Sequence, residues 1–196
     1  MKINFLTTID NDTIKKLPLK FFDGEINIVN SDKKLKIAYN YLKNCTILGF
    51  DTETKPNFIK GKKNRNKVSI LQLSDNKKAF LIQIKKITEY NLLKDIFENP
   101  EVKIIGLAVK NDINELKEIF NLTPKNLIDL QNYVKYFGIE DSGLKKLTAN
   151  ILKFRISKSQ QLSNWDNLNL TLKQQQYAAT DAWVCYEIYT KLNKTL

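Results

Sequence analysis

The sequence predicts an α/β fold in which a mixed sheet of five or six strands is flanked by helices. Short apolar runs are typical of strands, and they alternate with longer segments whose apolar residues recur at helical spacing. Two strand-like runs, 68–73 and 79–84, flank the sequence Ser74-Asp75-Asn76-Lys77, which is typical of a hairpin turn. A start of three strands followed by alternating strands and helices indicates a mixed sheet that helices cover.

Local signals support the individual elements. Ser31 and Asp32 offer a cap for a helix with one apolar face, and Pro100 follows the end of another helix. In chain order, the predicted elements are strand 26–29, helix 32–42, strand 46–51, strands 68–73 and 79–84, helix 88–98, strand 103–108, helix 112–120, strand 126–130, and helical segments 130–137, 143–152 and 171–193.

The length of 196 residues suits one domain with a substantial core. We predict that this domain occupies residues 26–196. Residues 1–25 contain a capped helical start at Asp10, together with Pro18 and Gly24, and we predict that they form an amino-terminal extension packed on the domain. The start lacks the pattern of a secretory signal, and no apolar run reaches the ~20 residues of a membrane span. We therefore expect a cytoplasmic protein with no membrane partner.

Composition narrows the function classes. The net charge of +11 favours polyanionic partners such as nucleic acid, because each phosphate contact releases condensed counterions. The chain contains no histidine, which excludes the usual serine–histidine and cysteine–histidine hydrolases and zinc sites that use histidine ligands. Cys45 and Cys185 are not clustered and are expected to fill the core.

Four carboxylates and a phenol form the candidate site. Asp51 and Glu53 follow the apolar run 47–50, and alternation along a strand directs both to one face. Tyr177 and Asp181 lie four residues apart in a helical pattern and therefore share one helix face. Asp112 lies where a strand-like run passes into a helix, the place where open α/β sheets usually bind ligands. Oxygen ligands of this kind favour magnesium or manganese.

These segments resemble the motifs of DEDD-superfamily 3′–5′ exonucleases of the tyrosine subclass, and of the ribonuclease D and Werner-type domains in particular. The matching stretches are Phe50-Asp51-Thr52-Glu53-Thr54, the segment 106–112, Gln161-Leu162-Ser163-Asn164-Trp165 and Tyr177-Ala178-Ala179-Thr180-Asp181-Ala182. They occur in the family's order, and the likeness covers roughly residues 25–195.

The resemblance implies a ribonuclease H-like fold and a site with two divalent metal ions, Mg²⁺ or Mn²⁺. By this resemblance, Asp51, Glu53 and Asp181 hold one ion. Asp51 also bridges to a second ion, which Asp112 holds directly or through water. Tyr177 is a poor base at neutral pH, since a tyrosine pKa is ordinarily about 10. Its implied role is to orient the attacking water.

Basic segments are candidate nucleic-acid contacts. The segment 60–67 follows the first motif, and it includes Lys60, Lys62, Lys63, Arg65 and Lys67. Such residues can hold phosphates without reading base sequence, although a solvated loop has the same composition. Within the first motif, Thr52 and Thr54 are also predicted to contact the nucleic acid. A second basic group consists of Lys145, Lys146, Lys153, Arg155 and Lys158.

The leading hypothesis is a metal-dependent 3′–5′ exonuclease that removes nucleoside monophosphates from the 3′ end of nucleic acid, with DNA favoured over RNA. One alternative is a ribonuclease D-like exoribonuclease that trims RNA. Another is a non-catalytic nucleic-acid-binding module on the same fold, which the presence of all the acidic positions argues against. We expect a monomer.

Overall fold

The computed structural model of the protein describes residues 5–56 and 67–195. In this part of the chain six strands form one sheet: β1 Glu25–Val29, β2 Ile47–Thr54, β3 Val68–Ser74, β4 Lys78–Gln83, β5 Lys103–Gly106 and β6 Leu127–Asp129. Their order is β1-β4-β3-β2-β5-β6. β3 is antiparallel to β4 and β2, and the other three pairs are parallel. The predicted mixed sheet is confirmed.

The helices connect and cover these strands. They are α1 Asn11–Lys16, α2 Asp32–Leu42, α3 Tyr90–Glu98, α4 Lys110–Phe120, α5 Leu130–Tyr133, α6 Leu144–Leu147 and α7 Leu172–Asn193, with short 3₁₀ turns at Ile84–Lys86 and Val134–Phe137 and a π-helical turn at Thr148–Leu152. A capping box between Thr171 and Gln174 begins α7. None of the helices in the described part of the chain combines the length and the apolar character that a membrane crossing requires.

Among the elements whose bounds differ from the prediction are β2, β5 and α4. β2 extends to Thr54, three residues beyond the predicted end, because it stays paired with β3 through a bulge at Glu53 and Thr54. β5 ends at Gly106, and α4 begins at Lys110, two residues before the prediction. Ala108 interrupts the strand with a left-handed backbone (φ 55°), and its N–H donates to Asp129 Oδ1 at 2.9 Å. Apolar periodicity alone does not reveal this local turn.

The sheet is buried on both faces. Leu42, Phe97 and Leu116, from α2, α3 and α4, pack in the hydrophobic cluster that covers one face. Ile188 of α7 packs with Ile105 of β5 in a cluster on the other face. Every residue of β3 is buried. Burying both faces of a strand removes apolar side chains from water, which stabilises the fold by about 25 cal/mol per Å² of buried apolar surface. Because the buried side chains are closely packed, the central strands are a rigid support for the site.

Gly49 allows α7 to approach β2 closely. A Cβ atom at this position would collide with the carbonyl oxygen of Ala182. On α7, Ala178, Ala179 and Ala182 are small and fully buried. Since Gly49 and Asp51 lie on the same face of β2, this close packing brings the face that carries Asp51 against the helix that carries Asp181.

The segment before β1 packs on the rest of the protein. Leu6 exchanges two hydrogen bonds with the side chain of Asn150, and the N–H of Ile9 donates to Asp141 Oδ2 at 2.8 Å. Asp10 caps α1, as predicted, and Ile14 of that helix is buried in a cluster with Ala149. The division into an extension of residues 1–25 and a domain of residues 26–196 stays a prediction.

We predict that Gly49→Ala lowers the free energy of unfolding by about 1–3 kcal/mol, because an added methyl group forces α7 away from β2. Urea unfolding of the purified variant measures this loss. Gly143→Ala is the matched control, since a Cβ there meets no atom within 4 Å among the described residues, and it should cost clearly less. Equal stability of the two variants would contradict the close-packing argument.

Candidate active site

The end of β2 supplies two carboxylates to one face of the sheet. Asp51 and Glu53 are two residues apart, so both project toward the face that α7 covers. Phe50 points the opposite way and contacts Phe97 with ring centroids 5.8 Å apart. Glu53 is 8% exposed and Asp51 is partly buried. The alternation of the strand therefore separates the core side chain from the acidic ones, as predicted.

α7 supplies the third carboxylate. Asp181 is 2% exposed. One carboxylate oxygen from each of Asp51, Glu53 and Asp181 lies within 4.8 Å of the others. We call these three residues the acidic cluster. Strand and helix are far apart in sequence, and only their packing creates this concentration of negative charge.

The acidic cluster can hold a divalent cation. Asp181 Oδ1 is buried with no hydrogen-bond partner among the described residues. Gln72 pairs with Asp51 across the antiparallel β2–β3 ladder and so shares its face. Both amide atoms of Gln72 are also buried without a partner in the described chain. Buried polar atoms ordinarily have partners, and carboxylate oxygens suit hard cations such as magnesium.

Burial and crowding raise the pKa values of the acidic cluster. Loss of hydration is the main cause for Asp51, whose pKa is raised to about 8, and the charge of Asp181 adds to it. Loss of hydration and the charge of Asp51 raise the pKa of Glu53 to about 10. Burial also raises the pKa of Asp181. Without a cation, the cluster therefore retains protons at neutral pH.

Lys158 provides a positive charge beside the acidic cluster. Its Nζ donates to Asp181 Oδ2 at 2.9 Å. Burial lowers the pKa of Lys158, but the charge of Asp181 and the bond to it outweigh burial, so the pKa is raised on balance. The side chain consequently stays charged and offsets part of the repulsion between the carboxylates.

Tyr177 lies one helical turn before Asp181 and is 5% exposed. Its ring packs on Trp165 with centroids 5.8 Å apart, and Lys158 Nζ lies 5.6 Å from the ring centroid. Burial, followed by the charges of Asp181 and Glu53, raises the pKa of Tyr177 well above its ordinary value. The phenol therefore keeps its proton and can act as a hydrogen-bond donor.

Asp112 lies outside the acidic cluster as defined by the 4.8 Å limit. Its Oδ1 accepts a hydrogen bond of 2.6 Å from Thr52 Oγ1. Thr52 points to the face of β2 opposite Asp51, so the hydroxyl joins the end of β2 to the first turn of α4. The charge of Asp112 still contributes to the raised pKa of Asp51.

The comparison with protein families agrees with this geometry. A family model described as 3′–5′ exonuclease matches residues 26–196. The chain belongs to the 3′–5′ exonuclease family. The resemblance derived from the motifs is thereby confirmed, and the activity associated with the family is hydrolysis of phosphodiester bonds.

Individual relatives agree with this family and its ribonuclease H-like fold. A protein of Acanthamoeba polyphaga mimivirus, named as a candidate 3′–5′ exonuclease, is 33% identical over 91% of this chain and 49% of its own length. Ribonuclease D of Haemophilus influenzae is 28% identical over 86% of this chain and 42% of its own length. The crystal structure of the Aedes aegypti Nibbler EXO domain matches with a TM-score of 0.79 and 25% identity, covering 90% of this chain and 92% of that one. The chain spans about half the length of the curated relatives it matches.

Only some of the residues that are predicted to contact nucleic acid lie in the described part of the chain. Lys60, Lys62, Lys63 and Arg65 lie outside the described residues. Thr54 follows the bulge at the end of β2, and Lys67 is exposed beside β3, where it lines a cavity of about 570 Å³ with Tyr90 and Glu115. Their contact with nucleic acid stays a prediction.

Only part of the second basic group comes together, since Lys145, Arg155 and Lys158 line one cavity. Lys146 pairs with Asp141 at 2.8 Å, and Arg155 Nε donates to the carbonyl oxygen of Leu17, whereas Lys158 reaches the acidic cluster. Sequence reasoning grouped Lys158 with the other cations but missed its bond to Asp181. The two residues are 23 positions apart, and no periodicity connects them.

Three further side chains have structural roles. Trp165 is buried and packs on the ring of Tyr177. Asp129 accepts from the N–H of Gln131 and caps α5. Asp166 accepts hydrogen bonds from Ser69 Oγ at 2.7 Å and Lys85 Nζ at 2.8 Å. Asp166 thereby joins the segment before α7 to the sheet.

We predict that the metal-free protein loses stability as pH rises from about 5 to about 8. The pKa of Asp51 is about 8 in the folded protein, against an ordinary value of 3.8. Between these values the folded state binds more protons than the unfolded state, so the free energy of unfolding falls with rising pH. The maximum slope is about 1.4 kcal/mol per pH unit for each proton.

Urea unfolding in EDTA across this pH range measures the slope. Asp51→Asn should reduce the slope, whereas Asp12→Asn removes an exposed carboxylate and should leave it unchanged. If the free energy of unfolding of the wild-type protein is constant or rises between these pH values, the pKa values of the acidic cluster are not raised by folding.

Proposed function

We propose that this chain is a metal-dependent 3′–5′ exonuclease that hydrolyses the terminal phosphodiester bond at the 3′ end of nucleic acid and releases nucleoside monophosphates. The observation that carries this proposal is the buried acidic cluster, whose carboxylate oxygens lie within 4.8 Å of one another. Such a cluster costs desolvation and repulsion when it serves only the fold. In a chain of this exonuclease family, it suits a catalytic metal site.

Two divalent ions, Mg²⁺ or Mn²⁺, complete the proposed site. Asp51, Glu53 and Asp181 would hold one ion, and Asp51 and Asp112 would hold the other. Bound ions of this kind stabilise the attacking and leaving oxygens of an in-line displacement and lower the pKa of water. The hydroxyl of Thr52, bonded to Asp112 at 2.6 Å, would fix the orientation of that carboxylate.

The reaction forms a bond between the oxygen of water and the terminal phosphorus. It breaks the bond between that phosphorus and the 3′ oxygen of the preceding nucleotide. The water gives up one proton and the 3′ oxygen takes one up, so the products are a nucleoside monophosphate and a strand with a new 3′ hydroxyl. Because the pKa of Tyr177 is raised, its hydroxyl orients the water and does not remove its proton.

The substrate is a strand of DNA or RNA. DNA is the first candidate, and RNA is the second because one relative is named ribonuclease D. Discrimination between them depends on contacts to the 2′ hydroxyl. Digestion of matched DNA and RNA oligonucleotides with Mg²⁺ or Mn²⁺ distinguishes the two. Binding of either strand without any release of mononucleotides would favour the non-catalytic alternative.

We also propose that the protein works in a reducing compartment such as the cytoplasm. Cys45 and Cys185 are free thiols, one partly buried and one buried. Structural disulfides are typical of oxidising compartments instead. A monomeric state stays a prediction, which the elution volume on a calibrated sizing column tests.

We predict that Asp51→Asn and Asp181→Asn each reduce turnover at least about 100-fold, because each substitution removes a charged ligand while keeping the shape of the side chain. Release of mononucleotides from a labelled oligonucleotide measures the loss. Glu101→Gln removes an exposed carboxylate far from the cluster in sequence and should leave turnover unchanged. Near-normal turnover in either aspartate variant, purified in parallel with the control, would refute the metal-site assignment.

We predict that Tyr177→Phe slows turnover by about 100-fold, since it removes the hydroxyl that orients the water and keeps the ring that packs on Trp165. Calorimetric titration with Mn²⁺ should give the wild-type affinity, because the phenol is not a proposed ligand. Tyr136→Phe is the control, as Tyr136 is 85% exposed. A rate equal to that of this control would show that only the ring of Tyr177 matters.

A further inference from the structure

Two cavities lie beside the candidate active site, and the segment before β1 forms part of each. The first, which we call the basic cavity, has a volume of about 400 Å³ and is lined by Lys15, Lys145, Arg155 and Lys158, among others. The second, which we call the amide cavity, has a volume of about 310 Å³ and is lined by Phe21, Gln160, Gln176 and Tyr177, among others. Ser157 lines both cavities, so they are neighbours.

The basic cavity concentrates positive charge next to the acidic cluster. Its described lining includes four cations and no acidic side chain. Lys158 connects it to Asp181 through the 2.9 Å ion pair. Lys15 also pairs with Asp12, but both side chains are largely exposed, and such a pair contributes little. A group with several negative oxygens, such as a backbone phosphate, suits this lining.

Arg155 gives the basic cavity a fixed wall. Its N–H donates to the carbonyl oxygen of Pro18 at 2.9 Å, and its own carbonyl oxygen accepts from the N–H of Lys20 at 3.0 Å. Its Nε donates to the carbonyl oxygen of Leu17 at 3.1 Å, which uses one of the five guanidinium donors. The planar guanidinium is therefore held in place, and this geometry favours phosphate recognition.

The amide cavity combines an aromatic ring with groups that both donate and accept hydrogen bonds. Phe21 is 37% exposed, whereas its neighbour Phe22 is buried against Trp183. The N–H of Phe22 donates to Thr180 Oγ1 on α7 at 3.0 Å, so Phe21 is held next to the helix that carries Asp181. An exposed ring beside two glutamine amides is suited to stack on a nucleic-acid base and to bind its edge.

We propose that residues 14–21 and residues 145–160 together bind the single strand that leads to the reactive 3′ end. The basic cavity takes a backbone phosphate, and the amide cavity takes a base. This inference rests on the proposed function and adds a binding surface to it. The family model begins at residue 26. The segment that contributes Lys15 and Phe21 therefore lies outside the region that this family model matches.

Fluorescence anisotropy with a labelled single-stranded oligothymidylate of about 12 nucleotides tests the phosphate assignment. Measurements in EDTA prevent cleavage. Lys15→Gln combined with Lys145→Gln should weaken binding roughly tenfold at low salt and reduce the salt-dependence slope by about 0.7 for each phosphate that is no longer neutralised. Lys33→Gln combined with Lys34→Gln on α2 makes the same charge change at exposed positions and should alter affinity far less.

Phe21→Ala tests the base assignment. It should weaken binding at least about fivefold without changing the salt slope, because stacking involves no charge. Urea unfolding first establishes that each variant is folded, and the double variant at Lys15 and Lys145 remains informative if Phe21→Ala is unstable. Affinities equal to those of the α2 control would overturn the corresponding cavity assignment, and absence of binding by the wild-type protein would overturn both.

The outcomes separate this inference from the proposed exonuclease activity. If the wild-type protein binds the strand through these residues but releases no mononucleotides with Mg²⁺ or Mn²⁺, the proposed function fails and the binding surface stands. If it releases mononucleotides and the variants bind as the α2 control does, the binding surface fails and the proposed function stands.

Discussion

The close contact between α7 and β2 is the constraint on which the rest of the structure depends. Gly49 leaves no side chain between the strand and the backbone of Ala182. This contact brings Asp181 next to Asp51 and Glu53 in a region that water reaches poorly. Apolar packing on both sides of the sheet stabilises the fold and offsets the repulsion between these carboxylates.

The electrostatic cost of the acidic cluster connects folding with function. In the metal-free protein, raised pKa values and the ammonium group of Lys158 reduce the repulsion. A divalent cation would reduce it further and bind the folded state far better than the unfolded chain, which adds stability by mass action. The carboxylates whose burial is costly to the fold are therefore the ones that could hold a metal ion.

Side chains from several elements surround the acidic cluster. Thr52 joins Asp112 to β2, while Trp165 and Lys158 contact the ring of Tyr177. The segment before β1 adds a cationic and an aromatic wall nearby. Its hydrogen bond to Thr180 attaches this segment to α7, which carries Asp181, and its hydrogen bonds with Arg155 attach it to the irregular segment that carries Lys158.

The sequence by itself determined the fold class, most of the elements and the candidate acidic residues. Strand alternation places Asp51 and Glu53 on one face, helical periodicity places Tyr177 and Asp181 on another, and both relations are local. Only the tertiary structure decided that Lys158 pairs with Asp181, that Asp112 bonds to Thr52, and that the segment before β1 borders the site. These contacts join residues far apart in the chain, and they depend on packing distances that no local periodicity encodes.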